Sequence, residues 1–415
     1  MFEQIVANLK PRDVLEEIIQ FLDLDEIVLL TGARQTGKTS LMYLLADFLH
    51  KKKGIPESQI VWLDMEKVSD LTRINSLKDF DDFLPFLASE FGVNINKKRI
   101  FVFVDEIQYI KHASSFFKYL YDKHKGYLKF IATGSSSLDV KARFSDRLTG
   151  RVVRFPVNAL SFGEFVRFRE GKQKDKSALL KEYLLYGGYP KITLTQGHEA
   201  KEKLLSEIYS LYVRKDVRDI AGIGDVMGFN KLVTILASQI GSLLNETELA
   251  NASQLSRITA RKYLFILENT FVISLVSPFH RNPRTEIVKS PKIYFRDLGL
   301  RNAVLDNFSA LEKRADAGFL AENFAFLQLS GKYKKVNFWR SKAKAEADFV
   351  VIKGDSFSVV EVKYRHFKRP QIPSGMRAFL KNYPNTSKAT VANRSLESSV
   401  SCYDQTVDFS LLENL

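Results

Sequence analysis

The sequence predicts an α/β protein: a parallel sheet covered by helices, then a helical region, then a second and smaller α/β domain. Three observations carry this prediction. Apolar runs of strand length alternate with helix-period segments up to about residue 155. A glycine-rich turn joins the first of those strands to a helix. Beyond residue 310 the strand pattern returns, now with carboxylates on the strands.

The first strand is "EIVLLT", residues 26–31, apolar enough to be buried on both faces. "QIVWLDME", "RIFVFVDEIQ" and "LKFIATGSS" read the same way, with "SLMYLLADFLHKKK" and "ASSFFKYLYDKH" as helices between strands. These elements make up a domain expected over 1–155. From "NALSFGEFVRF" onward the period becomes helical, and 156–240 is expected as a helical lid or linker, broken by the turn "YGGYP" at 186–190. Residues 245–276 read as helix, turn, helix and strand, inside a domain expected over 241–305. A final domain is expected over 306–415. It begins with the helix "AGFLAENFAFLQLS", continues through strands "KVNFWRS", "ADFVVI" and "SVVEVKY", and closes with the helix "GMRAFLKNYP" and the strand "KATVAN".

Length and composition agree with that division. At roughly 100–200 residues per domain, 415 residues make two to four domains. No stretch reaches the ~18 apolar residues of a membrane helix, and the N-terminus has no apolar signal core. A cytoplasmic protein with no membrane partner is expected. Cys402 is the single cysteine, which excludes an internal disulfide and a cysteine-based zinc cluster. The net charge of +14 fits a polyanionic partner, most often nucleic acid, and fits equally a merely basic surface.

"GARQTGKT" meets every fixed position of G-x-x-x-x-G-K-[ST], between a strand and a helix. The expected phosphate cradle is Gly32, Ala33, Arg34, Gln35, Thr36, Gly37, Lys38, Thr39 and Ser40. Glycines let the backbone curl so that successive amides point inward, and the helix N-terminus adds its positive dipole end. Lys38 would reach the outer phosphates and Thr39 would ligate Mg²⁺. "FVFVDEIQ" supplies the partner strand. Asp105 would hold the ion through water, and Glu106 would polarise an attacking water, or else be a structural acid at a strand end. Ser135 or Ser136, after "FIATG", would bond that water or the γ-phosphate, or form a plain polar turn. The cofactors implied are ATP and Mg²⁺.

These residues resemble the AAA-type ATPases, within the additional-strand P-loop NTPase class that has a catalytic glutamate. "GARQTGKTSL", "VDEIQ", "ATGSSS" and "LTGRVVRFPVNALSFGEF" resemble more closely a prokaryotic AAA family whose ATPase domain is joined to a C-terminal domain of uncharacterised function. "YLLYGGYPKI", "LYVRKDVRDI" and "KSPKIYFRDLGLRNAV" extend the likeness over almost the whole chain. It implies a homo-oligomer in which a neighbouring subunit supplies an arginine to the γ-phosphate. Arg147 and Arg151, in "DRLTGR", are the candidates; the alternative is that they pair with surface acids or hold the sheet's edge.

"TELANASQLSRITARKYLFILENTFVISLV" has the shape of a winged-helix unit. Ile258, Leu264 and Leu267 are expected to face its core. Thr259, Arg261 and Lys262 would be exposed on the recognition-type helix, with Arg281, Arg284 and Lys289 on a wing. Duplex binding through phosphates is one reading, and a helical packing module is the other.

The last domain resembles the restriction-endonuclease-like fold, in which a helix supplies one acid, a strand an Asp, and the next strand Glu-x-Lys. Here those positions hold Glu322, Asp348, Glu361 and Lys363. Strand alternation puts Glu361 and Lys363 on one face, and the thirteen residues from Asp348 to Glu361 are enough for a hairpin that brings the acids together. Two carboxylates would hold a second Mg²⁺, with Lys363 placing a water. Glu346 is either a competing ligand or a partner for Lys342 or Lys344. The leading expectation is an ATPase that acts on duplex or branched DNA in remodelling, repair or defence, with ATP binding ordering the domains. The alternatives are a nucleotide-gated protein-interaction switch and an ATP-regulated, metal-dependent nuclease.

Overall fold

A computed structural model describes residues 3–95, 99–134, 148–169, 175–279, 290–354 and 356–415. The chain divides into two compact units, residues 1–158 with 269–271, and residues 159–268 with 272–415. Among the described residues no helix is long and apolar enough to cross a membrane.

The first unit is built on five parallel strands: β1 (Ile27–Thr31), β2 (Ile60–Asp64), β3 (Ile100–Asp105), β4 (Leu128–Gly134) and β5 (Val152–Pro156). They lie in the order β2-β3-β4-β1-β5, so β4 stands between the strand before the glycine turn and the strand ending in Asp105. Every residue of β1, β3 and β4 is buried, as expected of central strands with helices on both faces. The helix Lys38–Lys51 turns Leu41, Met42, Leu45, Ala46 and Leu49 onto one face at helical spacing. On the same side Tyr43 stacks on Trp62, and Trp62 on Phe103. The helix Ala113–Lys123 covers the other face with Phe116, Phe117 and Leu120.

In the second unit, short helices lead into two sheets. The helix Glu246–Ser253 is capped by Asn245, whose side chain accepts from the Thr247 and Glu248 amides. The helix Arg257–Asn269 and the antiparallel pair β6 (Ile273–Val276) and β7 (Lys292–Phe295) follow. On the helix Arg257–Asn269, Leu264 and Leu267 are buried as the periodicity predicts. Ile258 is not: it is 83% exposed, on the side of the helix turned away from Leu264 and Leu267, and this corrects its expected inward position.

The remaining sheet is mixed, in the order β12-β13-β11-β10-β9-β8. Its strands are β8 (Val336–Arg340), β9 (Glu346–Lys353), β10 (Ser356–Lys363), β11 (Lys388–Asn393), β12 (Ser398–Cys402) and β13 (Gln405–Leu411). β12 and β13, rich in Ser and Thr, lie beyond the last strand that the apolar pattern marks. The helix Ala317–Lys332 is pinned to β7 by Asn323. Its amide side chain accepts from the Phe295 N–H and donates to the Phe295 carbonyl, both at 2.8 Å. That two-point clamp sets where Glu322, one residue earlier, must point.

Candidate nucleotide site and acidic cluster

The turn from β1 into the helix Lys38–Lys51 leaves little freedom. A Cβ on Gly32 would stand 2.1 Å from the Val157 carbonyl oxygen, so the chain can pass only as glycine. Gln35 and Gly37 take left-handed φ of 62° and 93°. Thr36 closes the curl by donating to the Ala33 carbonyl at 2.9 Å, and buried Arg12 braces it from outside by donating to the Thr36 carbonyl at 3.0 Å. The Lys38 side chain folds back over the turn, its ammonium 3.1 Å from the Gly32 carbonyl and 2.9 Å from that of Ala33. Ser40 follows Thr39 in the first turn of the helix, and Arg34 reaches Tyr109 Oη at 3.2 Å and Glu66 at 3.4 Å.

β3 delivers the acids. Thr39 Oγ1 donates to Asp105 Oδ2 at 2.7 Å. Burial pushes the Asp105 carboxyl up, while hydrogen bonds from Thr133 and Thr39 pull the other way. Glu106 follows in a left-handed conformation, φ 57°, which costs a non-glycine residue about 1 kcal/mol or more. Its backbone N–H donates to Thr133 Oγ1 at 2.9 Å, and its carboxylate accepts from the Gln108 side chain. Thr133, fully buried on β4, also donates to Asp105. One hydroxyl thus fixes both acids, and sequence reasoning passed over it for Ser135 two residues later. Ser135, Ser136 and Arg147 lie outside the described residues.

A hydroxyl and a carboxylate oxygen meeting at the mouth of the loop are the hard-oxygen donors a magnesium ion takes. The residues present therefore fit a magnesium-bound triphosphate: Thr39 and Asp105 would hold the ion, and Lys38 with the loop amides would hold the phosphates. When bound, the ion would neutralise phosphate charge. Arg151 is engaged elsewhere. Its guanidinium is bidentate to Asp122, at 2.6 and 3.1 Å, and its carbonyl accepts from Ile27 at the start of β1, the strand end opposite the phosphate loop.

In the second unit the four nuclease-type residues converge. Asp348 on β9 and Glu361 on β10 face one another across the antiparallel pair. The Asp348 N–H donates to Glu361 Oε2 at 3.3 Å, and the Val362 N–H donates to Asp348 Oδ2 at 2.8 Å. Lys363 donates to Glu361 Oε1 at 2.8 Å. Glu322 accepts from Tyr294 Oη at 2.6 Å and from Lys292 at 3.0 Å. Burial, and then the nearby Asp348 charge, raise both Glu322 and Glu361 above the usual carboxylate range. Glu346 pairs with Lys292 at 2.6 Å and lies 3.8 Å from Arg340, which replaces the expected Lys342 or Lys344 pairing. Among the described residues no three His, Cys, Asp or Glu side chains are gathered to hold a metal ion.

The residues expected to meet DNA are more scattered. Arg261 and Lys262 are exposed and Thr259 half-buried, but Arg261 is tied to Glu246 at 2.5 Å, and Thr259 bonds to Ser256. Arg281, Arg284 and Lys289 lie outside the described residues.

Strand order, phosphate loop and paired acids define a P-loop nucleotide-binding domain with an additional central strand. Residues 24–166 match the family model described as AAA domain, and the first unit is a P-loop domain of the AAA type. Residues 177–311 and 317–409 match models described as domains of unknown function, DUF8612 and DUF4143. An uncharacterized protein of Haemophilus influenzae is 26% identical over 86% of this chain and 87% of its own length. One of Mycobacterium tuberculosis is 27% identical over 89% and 77%. Among solved structures, the Aeropyrum pernix ORC1 protein in complex with DNA overlays 73% of this chain and 94% of its own, at 11% identity and a TM-score of 0.33. A score that low establishes no shared architecture.

Proposed function

We propose that the chain is an ATPase that acts on DNA. The observation that carries the ATPase reading is the Thr39–Asp105–Thr133–Glu106 chain of hydrogen bonds beside the phosphate loop. It holds one carboxylate against the residue that would ligate Mg²⁺ and fixes the backbone of the next acid in a strained conformation, which is how a metal ligand and a general base are kept apart. ATP and Mg²⁺ are the cofactors of this reading, and Arg147 and Arg151 its candidates for action on a neighbouring subunit in a homo-oligomer. For Arg151 that role requires leaving Asp122.

The DNA reading is supported by the charge of +14 and by the exposed Arg261 and Lys262 on the second helix of a winged-helix-like order. The cluster of Glu322, Asp348, Glu361 and Lys363 is read as the frame of a metal-dependent nuclease. One observation favours a second reading, the nucleotide-gated protein switch: Ile258 and Phe265, seven residues apart on the helix that carries Arg261, are 83% and 59% exposed. Two turns of helix put them on one side, as an apolar anchor for a protein partner would be.

Phosphate release with and without duplex DNA, across a salt series, separates the two. The DNA reading expects release to rise with DNA, binding to fall steeply as salt rises, and Arg261→Glu with Lys262→Glu to weaken both. Indifference to DNA, with Ile258→Ser and Phe265→Ser altering turnover instead, supports the switch.

A further inference from the structure

The acidic cluster already contains a cation. Lys292, on β7, is 3% exposed. Its ammonium donates to Glu322 Oε1 at 3.0 Å and pairs with Glu346 Oε1 at 2.6 Å. It also lies over the Phe338 ring, 5.5 Å from the centroid. The other two acids are occupied by Lys363 and by the backbone amides of Asp348 and Val362. Every carboxylate of the cluster therefore has a donor, and two of them share one ammonium. A divalent ion needs several oxygens at about 2.0–2.6 Å from one point. Here the oxygens of Glu322 and Glu346 converge on a nitrogen.

The backbone makes this arrangement part of the fold. Lys292 is paired with Val276 across the β6–β7 ladder and bridged to Leu243, and its strand is clamped to the helix of Glu322 through Asn323. The ammonium has a flexible four-carbon stem, but the stem is buried, so it cannot swing into water without opening the strand. A metal ion would have to displace it or share the site with a like charge.

We propose that Lys292 is the resident cation of this cluster, an internal ammonium that holds Glu322 and Glu346 and keeps them from binding a divalent ion. The inference rests on reading Glu322, Asp348, Glu361 and Lys363 as a nuclease-type frame, and it makes that frame a locked one.

The test is Mn²⁺ uptake by the full chain, followed by the electron paramagnetic resonance of the free ion. All proteins carry Asp105→Asn, so that the phosphate loop adds no uptake. The parent is expected to show no saturable uptake below about 1 mM, the weak end of protein sites for a hard divalent ion. Lys292→Met is expected to gain saturable uptake at least about tenfold tighter, with a melting temperature that rises on adding Mn²⁺. Adding Asp348→Asn should remove both, and Lys292→Arg should behave as the parent. Lys292→Gln, which keeps a donor for Glu322, should show the same gain and serves if the methionine variant fails to fold. Saturable uptake by the parent that Asp348→Asn removes overturns the lock and leaves the frame reading standing. No uptake by the parent or by either folded neutral variant overturns both.

Discussion

Replacing Glu106 with glutamine is expected to lower ATP turnover by about 10²–10⁴-fold, the usual contribution of a general base, while ATP still binds. Two carboxylates stand at the end of β3, and the structure holds them differently. Asp105 is buried, bonded through both oxygens to the hydroxyls of Thr39 and Thr133, and set against the phosphate loop. Its bond to Thr39 places it beside the loop, where it would hold an ion together with that hydroxyl. Glu106 has its backbone fixed by Thr133 and its carboxylate oriented by the Gln108 side chain. A glutamine keeps size and hydrogen bonding but cannot take a proton from water, so binding should survive and turnover should not. Phosphate release and nucleotide affinity measured on the same preparation check this. Unchanged turnover would remove Glu106 from the chemistry; loss of ATP binding would make it a part of the cradle instead.

The second large effect concerns stability. Arg301→Ala is expected to destabilise the second unit by about 3–5 kcal/mol, as breaking a buried ion pair does. Arg301 is 1% exposed. It donates to the Ala237 carbonyl at 2.7 Å, to Asp316 at 2.5 Å and to Asn302 at 3.1 Å. Alanine would orphan that carbonyl and leave a cavity. Asp316 would keep Arg314, 2.8 Å away, which places the effect toward the lower end of the range. Urea unfolding followed by Trp339, in a Trp62→Phe background, reads this unit alone, because Trp62 belongs to the first unit and Trp339 to the second. A midpoint within error of the parent would contradict the assignment. The same cluster sets an acid limit. Burial opposes the Asp316 charge, but Arg314 and Arg301 outweigh it and hold the carboxyl down to about 2. A depressed acid stabilises the fold fully above its unfolded pKa near 3.8. That contribution fades as pH falls from there through about 2, and in Arg301→Ala the loss should be smaller and complete at a higher pH.

The phosphate loop and the strand ending in Asp105 were legible because their chemistry is local: an apolar run, a glycine turn and a helix start are adjacent in sequence. The same holds for Asp348 and Glu361, which one hairpin brings together. What was not legible depends on partners distant in sequence. Thr133 belongs to the nucleotide site only because β4 is inserted beside β3, and "ATGSS" does not say which of its hydroxyls points at the acids. Arg151 finds Asp122, and Glu346 finds Lys292, through tertiary pairings that spacing does not encode. Ile258 is apolar by type but stands roughly half a turn of helix away from the Leu264–Leu267 face, so its residue type pointed inward where its helical position does not.

Residues 32–40 are proposed to cradle a magnesium-bound triphosphate. Titration calorimetry of MgATP into the folded chain, beside Lys38→Ala matched by circular dichroism, tests it most directly. Saturable binding of one nucleotide by the parent, and none by the variant at the same concentrations, is the expected result. Parent protein that takes up no MgATP, or a variant that binds it equally well, would contradict it.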